Sequence, residues 1–459
     1  MQAVWSPQRK HSTWRRLWTA LAESEMELGL AITPAQVEAM RAHVDDIDFE
    51  AAAKYEAELR HDVMAHIRVF GDAAPVAKAI IHLGATSQFV NCNTEILQLR
   101  DSLVMVAGKI ANVVNQLGEF AVKYRELPTL GFTHYQPAQP TTVGRRAALW
   151  AYDLALALGE IEQGIDGLRL RGVKGATGTQ ASFLALFNGD HEKVEQLDRL
   201  VVEKMGFDPE KRFVVTGQTY PRIIDAQVLN RLAVVASSIH KMCNDIRLLA
   251  NRKEIEEPFG KSQVGSSAMP YKRNPMRCER ATGLARFVMS LPSNALNTAA
   301  TQWFERTLDD SANRRLSLPE SFLALDGALD LAHGITSGLV VYEHTIRKNL
   351  MAELPFMASE NIMMEAVKRG ADRQEAHERI RELSVETGKA VKEEGKANDL
   401  IERLRGEVMF AGIDFDAVLE PERYVGRARE QVDVFIGEIV EPIRKRYAGS
   451  LHPPRELNV

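Results

Sequence analysis

The sequence predicts an all-α protein organised around a bundle of long helices, and three observations lead there. Apolar residues recur over very long stretches at helical spacing, strand signals are sparse, and glycine and proline gather in blocks between the periodic stretches. The longest series is Ile96, Leu99, Leu103, Val106, Ile110, Val113, Leu117, Phe120 and Tyr124, stepping by three and four without a miss; this is the seam of a helix that repeats every ~3.5 residues. At ~1.5 Å per residue, that helix spans roughly 40 Å. A stripe so long and narrow needs partner helices along its whole length, which predicts a bundle, and one shared between subunits.

The elements follow in order. His82 to Ser87 ends in two hydroxyls just before the first long helix, where a helix N-cap belongs. Further seams run through Trp150, Leu154, Leu158, Ile161, Ile165 and Leu168, then through Val228, Leu232, Val235, Ile239, Met242, Ile246 and Leu249. A looser one joins Phe322, Leu325, Leu329 and Ala332. Glycine and proline interrupt the helical pattern at 128–140, 172–178 and 258–275. Phe213-Val214-Val215 is the best short strand candidate. Where the long seams begin and end, three domains are expected: an N-terminal helical domain at 1–86, a central bundle at 87–341 and a C-terminal helical domain at 342–459, richer in charge.

Composition narrows the function classes. At 459 residues, 45% hydrophobic and 26% charged, the chain is long enough for two or three domains with a large core. A net charge of −5 opposes general nucleic-acid binding, so an anion site has to be a local cluster. No uninterrupted apolar run has membrane-spanning length, and residues 1–20 lack a secretory pattern. Cys92, Cys243 and Cys278 are widely spaced and odd in number, which fits a reducing cytoplasm.

Four polar segments are candidates for chemistry. Gly265-Ser266-Ser267-Ala268-Met269-Pro270-Tyr271-Lys272-Arg273-Asn274-Pro275 crowds hydroxyls, cations and helix breakers into one loop whose serine amides and Lys272 are suited to surrounding an anion. Thr133-His134-Tyr135-Gln136-Pro137 sets a histidine between turn formers, and Arg60-His61-Asp62 sets one beside a cation and a carboxylate. Taken singly, these also read as a solvated loop, a structural histidine and a helix-surface charge group. Residues 302–315 mix aromatics with Arg306, Arg314 and Arg315, a composition that also suits a salt-bridged loop. His61 and His66 are five apart and do not share a helix face, so no metal site is expected, and no cofactor.

Together these segments resemble one superfamily. Ser266 to Pro275 matches the S-S-x-M-P-x-K-x-N-P signature of the fumarase/aspartase superfamily, and the loops around His134 and at His82 to Ser87 resemble its other two signature regions. Within it, Arg60-His61-Asp62, Thr216-Gly217-Gln218-Thr219-Tyr220 and 303–315 resemble the adenylosuccinate lyase branch that includes the animal enzymes, from about Trp14 to Gly426. The resemblance implies β-elimination of fumarate from a succinyl-amine, with sibling lyases for argininosuccinate, or a cycloisomerase, as the alternative. It implies Ser266 as the base, with Ser267 as runner-up, and His134 as the acid; the reverse assignment uses the same atoms. His61 binds or supports, and Lys272 and Asn274 hold carboxylates. An alkoxide at Ser266 would need Lys272, amides of the Gly265 to Ala268 turn and a helix start after Pro275. Arg60, His61, Asp62, Thr86, Ser87, Thr133 and Gln218 form an earlier substrate-binding set by resemblance, and Ser267, Arg280, Arg306, Ser311 and Arg315 a later one. The implied assembly is a homotetramer whose sites draw on three subunits. One departure is expected: the branch carries an Arg-Tyr pair that contacts substrate ahead of the Trp14 to Trp18 helix, and here that contact is missing or supplied by Arg9 or Lys10.

Overall fold

The computed structural model describes residues 1–260 and 262–455. Lys261, inside the punctuated 258–275 stretch, lies outside the described residues. Twelve helices lead to the end of the seam region: α1 Pro7–Glu27, α2 Pro34–Ala42, α3 Phe49–Leu59, α4 Asp62–Ala73, α5 Ser87–Lys123, α6 Val143–Gly167, α7 Ala181–Leu186, α8 His191–Lys204, α9 Ile223–Asn251, α10 Met276–Ser290, α11 Pro292–Ala300 and α12 Asp310–Thr336. Seven shorter ones follow, α13 Glu343–Met357, α14 Ser359–Lys368, α15 Arg373–Glu394, α16 Leu400–Arg405, α17 Phe415–Val418, α18 Ala428–Phe435 and α19 Glu441–Arg446. The all-α expectation holds. At 37 residues, α5 runs ~55 Å. Its seam is buried from Ile96 to Phe120, and all seven α9 seam residues are buried.

Two strand expectations change. The 128–140 stretch is not plain loop: β1 Pro128–Thr133 and β2 Gln136–Thr142 pair antiparallel, with an irregularity between Leu130 and Phe132. Gly131 lies there because a Cβ would come 2.4 Å from the Gln139 carbonyl oxygen. Three prolines and the lack of an Asn-Gly turn hid this hairpin. Phe213-Val214-Val215 is not a strand; the extended contact is a single bridge between Leu170 and Arg212, and Val214 and Val215 face solvent. A further short pair joins β3 Ile255–Glu256 to β4 Val340–Val341.

The chain forms two compact units, and the boundaries between them fall inside α5, α6, α9, α10 and α12. The first holds residues 1–109, 157–237 and 283–328. Trp14, Trp18, Phe70, Phe89 and Phe183 are fully buried in its core; truncating an aromatic of this kind to alanine costs about 3–5 kcal/mol. Burial of Trp14, Leu17, Trp18 and Leu21 fixes the face of α1 and with it the position of Lys10, one turn before Trp14. The second unit holds 110–156, 238–282 and 329 onward. There the hairpin packs on α13, and the Trp150 indole N–H donates to Asp245 Oδ2 at 2.7 Å.

Candidate active site

The first unit contains a cavity of about 410 Å³ where the first turns of three helices meet. Asp62 opens α4, Ser87 opens α5 and Asp310 opens α12. Helix starts carry the positive end of the dipole, so three together favour an anion; at α4 the Val63 and Met64 N–H groups already donate to Asp62 Oδ1 and His61 Nδ1. Along α5 the lining residues Ser87, Asn91 and Glu95 lie four apart, on one face.

The side chains continue this logic. A buried ion network forms the floor: Arg222 Nε donates to Asp310 Oδ2 at 2.7 Å, Arg314 Nε to Asp225 Oδ2 at 2.6 Å, and Arg314 Nη2 to Glu95 Oε2 at 2.9 Å. The Tyr220 hydroxyl donates to Asp225 Oδ1 at 2.5 Å. Burial pushes the Glu95 carboxyl up, but Arg314 and Arg222 outweigh it and hold Glu95 below the usual carboxylate range. At the rim, Arg315 Nη2 sits 3.4 Å from Asp62 Oδ2 and is mostly exposed, a pair of little energy that a ligand can displace. His61 N-caps α4, its Nδ1 accepting from the Met64 N–H at 3.3 Å. That assigns the proton to Nε2, which lies 3.4 Å from Ser87 Oγ.

Seven of the substrate-binding residues expected from the sequence line this cavity: His61, Asp62, Ser87, Gln218, Arg306, Ser311 and Arg315. Arg60 and Thr86 do not. Arg60 is the exposed, left-handed C-cap of α3, and Thr86 Oγ1 is buried with no hydrogen-bond partner, so that hydroxyl does not cap α5. Lys10, Glu95, Arg222, Asp310 and Arg314 were not singled out for the site, apart from Lys10 as one of two substitutes for the Arg-Tyr pair. Arg9 is instead tied to Asp101 at 2.7 Å. The four-residue spacing from Ser87 to Glu95 was a readable signal; Arg222 and its pairing with Asp310 across 88 residues had none.

The proton-transfer candidates lie in the second unit. His134 and Tyr135 are the two-residue turn of the β1–β2 hairpin, both left-handed, with φ of 54° and 57°. Such a turn ordinarily takes Asn-Gly. Holding His and Tyr there stores strain, as functional sites do. Arg60, His82 and Phe304, in other segments singled out from sequence, are also left-handed, as are Gln180, Asn188 and Lys253 outside them.

The 265–275 loop closes on itself. Asn274 Nδ2 donates to the Gly265 carbonyl at 2.7 Å, and a Cβ on residue 265 would clash with the Lys272 carbonyl oxygen at 2.0 Å, so glycine is required. Asn274 is thereby engaged inside the loop. Ser266 Oγ accepts from the Met269 N–H at 3.1 Å, while Ser267 and Lys272 face solvent. A helix does start after Pro275, but its dipole is already used: the Arg277 and Cys278 N–H groups donate to the two oxygens of Glu257 at 2.9 and 2.8 Å. The amide at Ser266 is Met269's, one residue beyond the expected turn. Arg280 projects from α10, exposed.

The chain matches the family model described as Lyase over residues 8–290 and the one described as Adenylosuccinate lyase C-terminus over 355–435. It is 54% identical to an adenylosuccinate lyase of Saccharomyces cerevisiae, over 95% of this chain and 91% of that one. It is 34% identical to an adenylosuccinate lyase of Pyrococcus abyssi, covering 97% and 96%. Among solved structures it is similar to the 3-carboxy-cis,cis-muconate lactonizing enzyme of Pseudomonas putida, with a TM-score of 0.82, 25% identity and 97% of each chain covered.

Proposed function

We propose, because the chain belongs to the adenylosuccinate lyase family, that it cleaves adenylosuccinate to AMP and fumarate. By the same chemistry it cleaves the succinyl-aminoimidazole-carboxamide ribotide of purine synthesis. The observation that carries this reading is the cationic cavity at three helix starts, which suits a large anion bearing a phosphate. A lactonizing enzyme shares the fold, but nothing in that name calls for such a cavity, and the sequence identity runs to the adenylosuccinate lyases.

In the reaction, a base takes the proton from the succinyl Cβ, the electron pair forms the Cα–Cβ double bond as the C–N bond breaks, and an acid protonates the leaving nitrogen. Ser266 is the base in this reading: the Met269 amide already points at its oxygen, and a hydrogen bond to the charged form favours that form. The neighbouring hydroxyl of Ser267 is the alternative, and comparing Ser266→Ala with Ser267→Ala separates them by which one abolishes turnover. His134 is the acid, held out by the strained turn. Lys272 and Asn274 take the succinyl carboxylates, Asn274 by exchanging its loop contact for substrate, and fixed cations stabilise charge as it develops. Arg60, Thr86, Thr133 and Arg280 complete the proposed substrate set from positions outside the cavity.

The reading includes a homotetramer in which three subunits supply each site. Exposed apolar side chains along the long helices support it, among them Val104, Leu149, Leu156, Val234 and Leu248. It also places the protein in the cytoplasm, supported by three buried free cysteines. Among the described residues, no helix is long and apolar enough to cross a membrane. The ultraviolet change on adding adenylosuccinate or argininosuccinate tests the substrate. Faster turnover of argininosuccinate overturns the reading.

A further inference from the structure

We propose that Lys10 is the cation that reads the substrate's phosphate, a role resting on the adenylosuccinate lyase reading but not contained in it. Five cationic side chains line the cavity: Lys10, Arg222, Arg306, Arg314 and Arg315. The four arginines each have a carboxylate within 4 Å, at Asp310, Asp310, Asp225 with Glu95, and Asp62. Among the described residues Lys10 has none; its ammonium instead sits 5.0 Å from the centre of the Trp14 ring. Trp14 is fully buried, so the Lys10 ammonium lies over a ring packed in the core.

The charges of the arginines are thus largely answered within the protein. Lys10 supplies the charge that is not, beside the Arg315 pair and the His61–Ser87 contact. A phosphomonoester dianion between these groups and the three helix starts meets an ammonium with three free donors. The neighbours His11 and His66 add no competing charge. Their rings stack at 3.8 Å, and burial lowers their pKa to about 3 and about 4. The Lys10 ammonium is also held below its ordinary pKa by burial, with Arg315 acting in the same direction while Glu95 and Asp62 oppose it. An incoming dianion relieves that unfavourable burial of charge.

The test compares ligands that differ in the phosphate alone. Binding of AMP and of adenosine is measured by calorimetry on the wild-type assembly, Lys10→Met and Lys10→Arg, with adenylosuccinate turnover in parallel. Lys10→Met should weaken AMP at least tenfold, leave adenosine within twofold, and raise KM more than it lowers kcat; Lys10→Arg should restore most of the AMP affinity. Equal losses for AMP and adenosine, or no loss for either, overturn the proposal. If the wild type does not cleave adenylosuccinate, the functional reading fails instead. If it does while Lys10→Met shows no phosphate-selective loss, the Lys10 proposal fails alone.

Discussion

The cavity of the first unit and the two loops of the second are built on opposite principles. The cavity floor is held by buried ion pairs: Arg222 with Asp310, and Arg314 with Asp225 and Glu95, join α5, α9 and α12 in one network. The His134 turn and the Ser266 loop are exposed, held by a few backbone contacts, and strained at His134 and Tyr135. Binding a large anion calls for fixed charges prepared in advance, whereas proton transfer calls for groups that can approach the reacting atoms. On the proposed reading, the first unit of a chain carries anion-binding groups and the second carries the proton-transfer groups, which partner subunits complete.

Breaking the catalytic half should cost the most. Ser266→Ala and His134→Ala should each lower turnover by about 10²–10⁴-fold with the assembly intact on size-exclusion chromatography; near-normal rates in both would remove them from the chemistry. Breaking the network should cost stability instead. Arg314→Met strands the buried Asp225 and Glu95, and an unfolding titration should show a loss of about 3–5 kcal/mol. A loss under 1 kcal/mol would mean that the network does not hold the cavity.

The next effect is tied to pH. Glu25 is fully buried on α1, neither carboxyl oxygen has a hydrogen-bond partner, and burial raises its pKa from 4.5 to about 8. A raised carboxyl destabilises the fold increasingly as pH climbs from 4.5 toward 8, by up to about 3 kcal/mol at pH 7. Glu25→Gln should raise Tm at pH 7 and remove that part of the slope, and an unchanged Tm profile would contradict it. His66 works with the opposite sign: its depressed pKa destabilises the fold as pH falls from 6.5 toward about 4. Smallest is the hairpin turn. Tyr135→Gly should stabilise by about 1 kcal/mol by removing left-handed strain, and a lower Tm would show that the tyrosine ring contributes more than its backbone costs.

What was legible in the sequence follows the same division. The seams of α5 and α9 were readable because one unbroken period writes burial directly into residue spacing. The loop motifs were readable because turn chemistry and hydroxyls are local. The β1–β2 hairpin was not, since its prolines argue against strand and its turn is His134-Tyr135 where Asn-Gly would announce it. Arg222 and Glu95 were missed because their partners lie 88 and 219 residues away along the chain. Tertiary pairing decides such positions, and composition carries no trace of it.

Mixing is the most direct test of the claim that one chain carries only half of a working site. His134→Ala and Ser266→Ala proteins, each inactive, are dissociated, combined in equal amounts and reassembled. If the two groups come from different copies, random assembly gives about a quarter of the sites both wild-type residues, and activity should return to about that fraction. Activity no higher than that of the separate variants would contradict the account and place His134 and Ser266 of one chain in the same site.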